Sequence, residues 1–293
     1  MRFHIAILVA AGTFFAAGPA YAACQPEFSQ ASQTVTLNAV EIGAGEQARE
    51  TFQIRVRNRG EDQCPATIRF AREPSAPLDP SFAYQLVAAA QVIEVLPDEI
   101  AAPAPRSDVF IPGISAGASS VGVPIQLTLP TEWGIASGTR RETLVLLLVD
   151  ENENVIDRML LHINITIPPT VELRIVGATG SNRVVEVDLG SLEPEQMNFS
   201  DPFAARIWST APYTVSFESE NRGALVHSSA SDRIPYTLEM DGAAVDLTGA
   251  IPVSFGSPTG SLGNLHPLRI VVAPFTARAG DYGDRVRVTV TAS

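Results

Sequence analysis

The feature that most limits what this chain can become is a period of two. Val286, Val288 and Val290 are set between Arg285, Arg287, Thr289 and Thr291, and similar short runs recur along the sequence. Such a run puts alternate side chains on opposite faces of an extended strand, so one face can be buried while the other meets water. Comparable runs are 34–42, 51–57, 66–70, 123–129, 143–149, 159–167, 171–176, 183–189, 213–219, 236–240 and 268–272. Turn-forming residues separate them. Asn58-Arg59-Gly60, Asn221-Arg222-Gly223 and Asp241-Gly242 are the plainest, the last placed for a tight hairpin. The alanines of "SFAYQLVAAAQVIEV", 81–95, would suit a helix, but its place in the order described below makes it a strand. With 22 prolines, 21 glycines and no long helical periodicity, the expected class is all-β: two tandem immunoglobulin-like β-sandwich domains.

Residues 1–22 read as an export signal: Met1-Arg2, an apolar run over 5–17, then Pro19-Ala20-Tyr21-Ala22 as a small-residue cleavage site. Cys24 also stands where a lipidated cysteine could, but Tyr21 occupies a place where a branched apolar residue is usual, so plain cleavage is the reading. No later run reaches the roughly 18 apolar residues of a membrane-spanning helix. The expected product is exported through the periplasm, and its length suggests an N-terminal domain over 23–168 and a C-terminal domain over 169–293, joined at Pro168-Pro169. The formal net charge is -12, and losing Arg2 with the signal makes it one unit more negative, which disfavours a nucleic-acid partner. Two cysteines in an exported chain, Cys24 and Cys64, are expected to pair, and closing a loop of that length contributes about 4 kcal/mol on the chain-entropy model.

The two halves share ordered landmarks. "TFQIRV" leads into Asn58-Arg59-Gly60, then "YQLVAAAQVIEV" from Tyr84, then "ASGTRRETLVLLLV" to Val149. "YTVSFESE" leads into Asn221-Arg222-Gly223, then "YTLEMDGAAVDL" from Tyr236, then "ARAGDYGDRVRVTV" to Val290. This order is that of a duplicated sandwich. The first half continues through the polar turn Asp150–Asn154 into "RMLLHINITI", whereas the second stops at the equivalent point. The expectation is a C-terminal domain lacking its final strand, with an unpaired backbone edge and an apolar groove that a strand from another chain could fill.

"APYTVSFES", "IPYTLEMDG" and "ARAGDYGDRVRVTVTAS", within 211–293, resemble the spore coat protein U domain family, the pilin type of archaic chaperone-usher pili. The resemblance departs at Trp208, near where many such domains have a cysteine. It implies a groove lined by Val286, Val288 and Val290 on one side and by Val171, Leu173 and Ile175 on the other. It also implies partners: a periplasmic pilus chaperone, an outer-membrane usher and an adjacent pilin subunit. Ordinary pilins of this type carry a donor strand ahead of the fold, for which Cys24 leaves no room if it is tied to Cys64. An accepting subunit with an extra domain in front resembles the two-domain tip adhesin of such pili, at the cell surface. Hydrophobic loops of those adhesins bind abiotic or host surfaces, which points here to Phe110, Ile111 and Ile114 of "VFIPGI" and to Trp133 and Ile135 of "EWGI". The alternatives are a free-standing secreted or periplasmic coat protein with two complete sandwiches, and a pilus chaperone, which would need an exposed donor strand and a basic cleft.

No catalytic, cofactor or metal constellation is expected. Gly113-Ile114-Ser115-Ala116-Gly117 matches G-x-S-x-G, but "ASSVGVPIQLTLP" follows it as a strand instead of the helix a nucleophile elbow requires. Asp150-Glu151-Asn152-Glu153-Asn154 begins like a calcium loop, yet Val155 stands where the glycine belongs and Leu161 where the bidentate glutamate belongs. His162, His227 and His266 lack metal-ligand spacing.

Overall fold

The computed structural model describes residues 24–38, 42, 43, 45, 47–74, 84–181 and 184–293. The export signal expected over 1–22 lies outside the described residues, as do parts of the loops around residues 40 and 80. Among the described residues there is no helix, and the chain folds as two tandem immunoglobulin-like β-sandwiches.

One five-stranded sheet of the first sandwich runs in the order β1 (Pro26–Phe28), β3 (Gln47–Asn58), β8 (Gly117–Pro130), β5 (Gln85–Ala88), β6 (Gln91–Ile93). The facing sheet runs β2 (Ser32–Asn38), β10 (Val155–Ile167), β9 (Gly138–Val149), β4 (Cys64–Arg72), β7 (Asp108–Ile114). Among the described strands of this sandwich β2 and β10 pair in parallel, and the other strand pairs are antiparallel. The alternation seen in sequence becomes burial: Ile54 and Val56 of β3, Leu144, Leu146 and Leu148 of β9, and Leu161, Ile163 and Ile165 of β10 face the core. Each contributes about 1.5–3 kcal/mol by leaving water. The outer face of β9 is covered as well, with Val145, Leu147 and Val149 forming a second small cluster. Cys24 and Cys64 are disulfide-bonded, Cα atoms 5.9 Å apart, which joins the chain just ahead of β1 to the start of β4 and so links the two sheets.

The chain over 81–95, in its described part, is the hairpin β5–β6, and its two-residue turn is Ala89-Ala90. Both alanines are left-handed, with φ of 47° and 63°, a conformation that carries a Cβ penalty of about 1–2 kcal/mol per residue. Such turns favour Asn-Gly or Asp-Gly. Replacing Ala89 by Asn and Ala90 by Gly is therefore expected to stabilise the first sandwich by about 1 kcal/mol, read as a rise in its urea midpoint with unchanged slope.

The second sandwich has one sheet in the order β11 (Val171–Val176), β15 (Phe203–Ser209), β22 (Asn264–Val272), β19 (Thr237–Met240), β20 (Ala243–Ala244), with β14 (Asn198–Phe199) at the far end of β22. Facing it are β21 (Val253–Phe255), β16 (Tyr213–Ser219) and β24 (Val286–Ala292). Smaller pieces are β12 (Thr179–Gly180) with β13 (Val185–Glu186), and β17 (Ala224–His227) between β18 (Arg233–Pro235) and β23 (Tyr282–Gly283). The sheet order β11-β15-β22-β19-β20 repeats β1-β3-β8-β5-β6, hairpin for hairpin, with Asp241-Gly242 where the first sandwich has Ala89-Ala90. Likewise β21-β16-β24 repeats β7-β4-β9.

Two expectations need correction. The run 183–189 contains only the two-residue β13, because nothing pairs with the rest of it among the described residues. The landmarks Asn58-Arg59-Gly60 and Asn221-Arg222-Gly223 are not equivalent: the first follows β3, whose counterpart is β15, and the second follows β16, whose counterpart is β4. Asn and Gly suit any strand end, so the same triplet serves two different turns.

Candidate functional site

Beyond β9 the first sandwich continues to β10 and then β2. Beyond the corresponding β24 the second sandwich has no further strand among the described residues. The opposite sheet ends on the same side at β11, which among the described residues pairs with β15 alone. β11 and β24 come within 8 Å of each other at their Cα atoms, so two unpaired edges, one from each sheet, border a common opening. Such edges present backbone N–H and C=O groups that no neighbouring strand uses.

The side chains show what the opening does to the core. On β9, Leu146 lies opposite Phe70 of β4 and is wholly buried. On β24, Val288 lies opposite Phe217 of β16 in the same way, yet Val286, Val288 and Val290 are all only half-buried. Val171, Leu173 and Ile175 of β11 are half-buried too and pack on the same core. The structure thus brings together the six residues that the sequence assigned to a groove. On the outer side Arg287 lies 3.9 Å from Glu218, and Arg174 lies 2.7 Å from Glu172, leaving a charged rim.

One carboxylate fixes where β24 begins. Asp284 accepts hydrogen bonds from the hydroxyls of Ser219 and Tyr236, from the backbone N–H of Asn221 at 3.1 Å and from that of Arg285 at 2.7 Å. Burial, and then the neighbouring Asp284 carboxylate, raise the pKa of the Tyr236 phenol well above its ordinary value. Asp284→Ala leaves that hydroxyl without its acceptor and is expected to lower the stability of the second sandwich by about 2 kcal/mol, measured by denaturant unfolding, with the first sandwich unchanged. On the other side of the core, the Tyr213 hydroxyl meets His266 Nε2 at 3.0 Å and His266 Nδ1 meets Asp241 Oδ2 at 2.7 Å, which ties β16 to β22.

The residues assigned to surface-binding loops are placed differently. Residues 108–114 form the strand β7: Ile111 turns into the core between outward Phe110 and Pro112, and Ile114, three positions on, is brought inward by the register shift against β4 between Cys64 and Ala66; of the three residues assigned here only Phe110 is freely exposed, at 65 %. Trp133 and Ile135 are half-buried at the end of the first sandwich that faces the second. Trp133 stands 6.5 Å from Trp208, and the nearby Ser137 N–H donates to the Thr210 carbonyl. Both lie beside Gly138, which pairs with Ile167, the last residue before the linker, so they cannot form the far end of the molecule. At that far end the β9–β10 turn is polar, with Asp150 Oδ1 accepting from the N–H groups of Asn152 and Asn154. Ser115 sits between β7 and β8, a strand-to-strand turn. No group of three or more metal-ligating side chains occurs among the described residues.

No family model matches the chain, and no curated protein does. Similar solved structures include a chain of the CsuC-CsuE chaperone–tip adhesion subunit complex of Acinetobacter baumannii Csu pili, at 14% identity and a TM-score of 0.43 over 92% of this chain and 99% of that one. The CupB6 tip adhesin of Pseudomonas aeruginosa is 12% identical with a TM-score of 0.39 over 92% and 95% of the two chains. CfaE, the adhesive subunit of CFA/I fimbria of enterotoxigenic Escherichia coli, has the same identity and TM-score over 92% and 81%. Identity and superposition are low in all three.

Proposed function

We propose that the chain is the tip subunit, an adhesin, of a chaperone-usher fibre. In this reading residues 1–22 are an export signal, a domain over 23–168 binds a surface, and a pilin-like domain over 169–293 accepts a strand from another chain. The observation that carries it is the opening between β11 and β24, at the place where the first sandwich holds β10. A strand seated there would use the free backbone groups of β24 and finish burying six half-exposed apolar side chains, at roughly 1 kcal/mol each. A periplasmic chaperone would supply that strand first, and the adjacent pilin would replace it at the outer-membrane usher.

The test is thermal unfolding of the mature protein, alone and with synthetic peptides copied from the N-terminal segments of pilins encoded beside it. One peptide should raise the transition of the second sandwich by ten degrees or more, roughly what several kcal/mol gives a domain of this size, and leave the first where it was. Two sandwiches that unfold at high temperature with no response to any peptide would instead make this a free-standing protein with two complete folds.

A further inference from the structure

In a chain with 32 acidic residues and 20 arginines, one broad face is basic. The outward side of β3 carries Arg49, Arg55 and Arg57, with Gln53 between the first two. Beside it, outward Gln126 of β8 lies opposite Thr51, and Gln85 of β5 lies opposite Thr128. Gly122 lies opposite Arg55, and the Gln53 side chain lies across it, which keeps this part of the face flat. Across the outward positions of β1, β3, β8 and β5 the only carboxylate is Glu27, which is already engaged by Arg57 and by Arg59. Arg49 and Arg55 are exposed, and Arg49 donates to the Gln47 amide oxygen at 3.4 Å.

We propose that this face binds an extended anionic polysaccharide running along β3. The inference deepens the proposed function, since it rests on the first sandwich being the binding half. Arg49 and Arg55 are six residues apart on one strand, or about 20 Å, which a small anion cannot bridge and a linear polymer can. Between them stand amide and hydroxyl side chains, which suit sugar hydroxyls, while the guanidinium groups suit carboxylates or sulfates. The spacing fits a chain whose charges are separated by neutral hydroxylated units. A nucleic acid fits worse: the face has no outward aromatic ring for a base to stack on, and the net charge of -12 opposes a densely charged backbone.

The mature protein is tested for binding to oligogalacturonate, with neutral dextran and single-stranded DNA of similar length as comparisons. Oligogalacturonate should bind in a salt-sensitive way, and Arg49→Gln with Arg55→Gln should weaken it about tenfold or more. Arg269→Gln with Arg278→Gln removes the same charge from the second sandwich and should leave binding unchanged. Equal binding of dextran or of DNA, an unaffected Arg49/Arg55 variant, or equal loss in the Arg269/Arg278 variant would each overturn the proposal. Peptide-induced stabilisation of the second sandwich, measured on the same variants, separates the two ideas: a protein that takes up the peptide but ignores oligogalacturonate loses only this inference.

Discussion

Arg69→Ala is expected to destabilise the first sandwich by about 3 kcal/mol, the low end of what removing one partner from a buried ion pair costs, because one of its acceptors is exposed. Arg69 is on the outer face of β4, with its side chain only 9% exposed. It grips Asp108 of β7 through two bonds of 2.8 and 2.7 Å and reaches Glu153 of the β9–β10 turn at 2.8 Å. Removing it strands Asp108 and unties the edge strand from the turn. Arg69→Met together with Asp108→Leu should recover most of the loss, since an apolar pair leaves no unpaired charge. Burial opposes ionisation of Asp108, but the bonds from Arg69 and Ser107 outweigh it and hold the carboxyl below the ordinary carboxylate range. The sign follows: this contribution is present in full above the ordinary carboxylate pKa and is lost as pH falls through the lowered value. The Arg69 variant should therefore lose less stability on acidification than the parent, which urea titrations at several pH values would show.

The second large effect is one of binding. Val288→Asp should change the stability of the unliganded second sandwich by less than about 1 kcal/mol, because Val288 already touches water, yet it should abolish the response to donor peptides. Once a strand covers the groove the new carboxylate is buried without a partner, at a cost of about 3 kcal/mol or more, which is about a hundredfold in affinity. Leu146→Asp, at the corresponding position of β9, should instead unfold the first sandwich, since Leu146 is wholly buried and the penalty rivals the stability of a whole domain. The same substitution at two equivalent sites thus separates a finished core from an open one.

Alternation made β10, β11, β16 and β24 legible in the sequence, and with them the six residues on the two edges, because each run is long enough for its period to dominate. Where alternation fails, so did legibility. β15, "FAARIWS", has two adjacent alanines, Ala204 and Ala205, that blur the pattern, and β7, "DVFIPGI", carries Pro-Gly, which marks a turn in most contexts; both are strands here because neighbours pair with them. The exposure assigned to Ile111 and Ile114 failed because 108–114 is a strand: extension turns Ile111 inward between Phe110 and Pro112, and the register shift against β4 between Ile111 and Ile114 turns Ile114 inward as well. The position of Trp133 depends on where the linker enters the fold, which no local pattern records. The basic face was equally hidden, since Arg49, Arg55 and Arg57 form a surface only after 47–58 is known to be one unbroken strand with its other side in the core.

The central claim is that the free edge of β24 awaits a strand, and amide hydrogen exchange measures that edge directly. In the unliganded mature protein, the amides of Val286–Ala292 that point away from β16 should exchange far faster than those of Leu144–Val149, where β9 is paired on both sides, and a donor peptide should bring them to the same protection. If β24 is already as protected as β9 without any peptide, and no peptide alters it, the edge is closed in solution and the strand-accepting account fails.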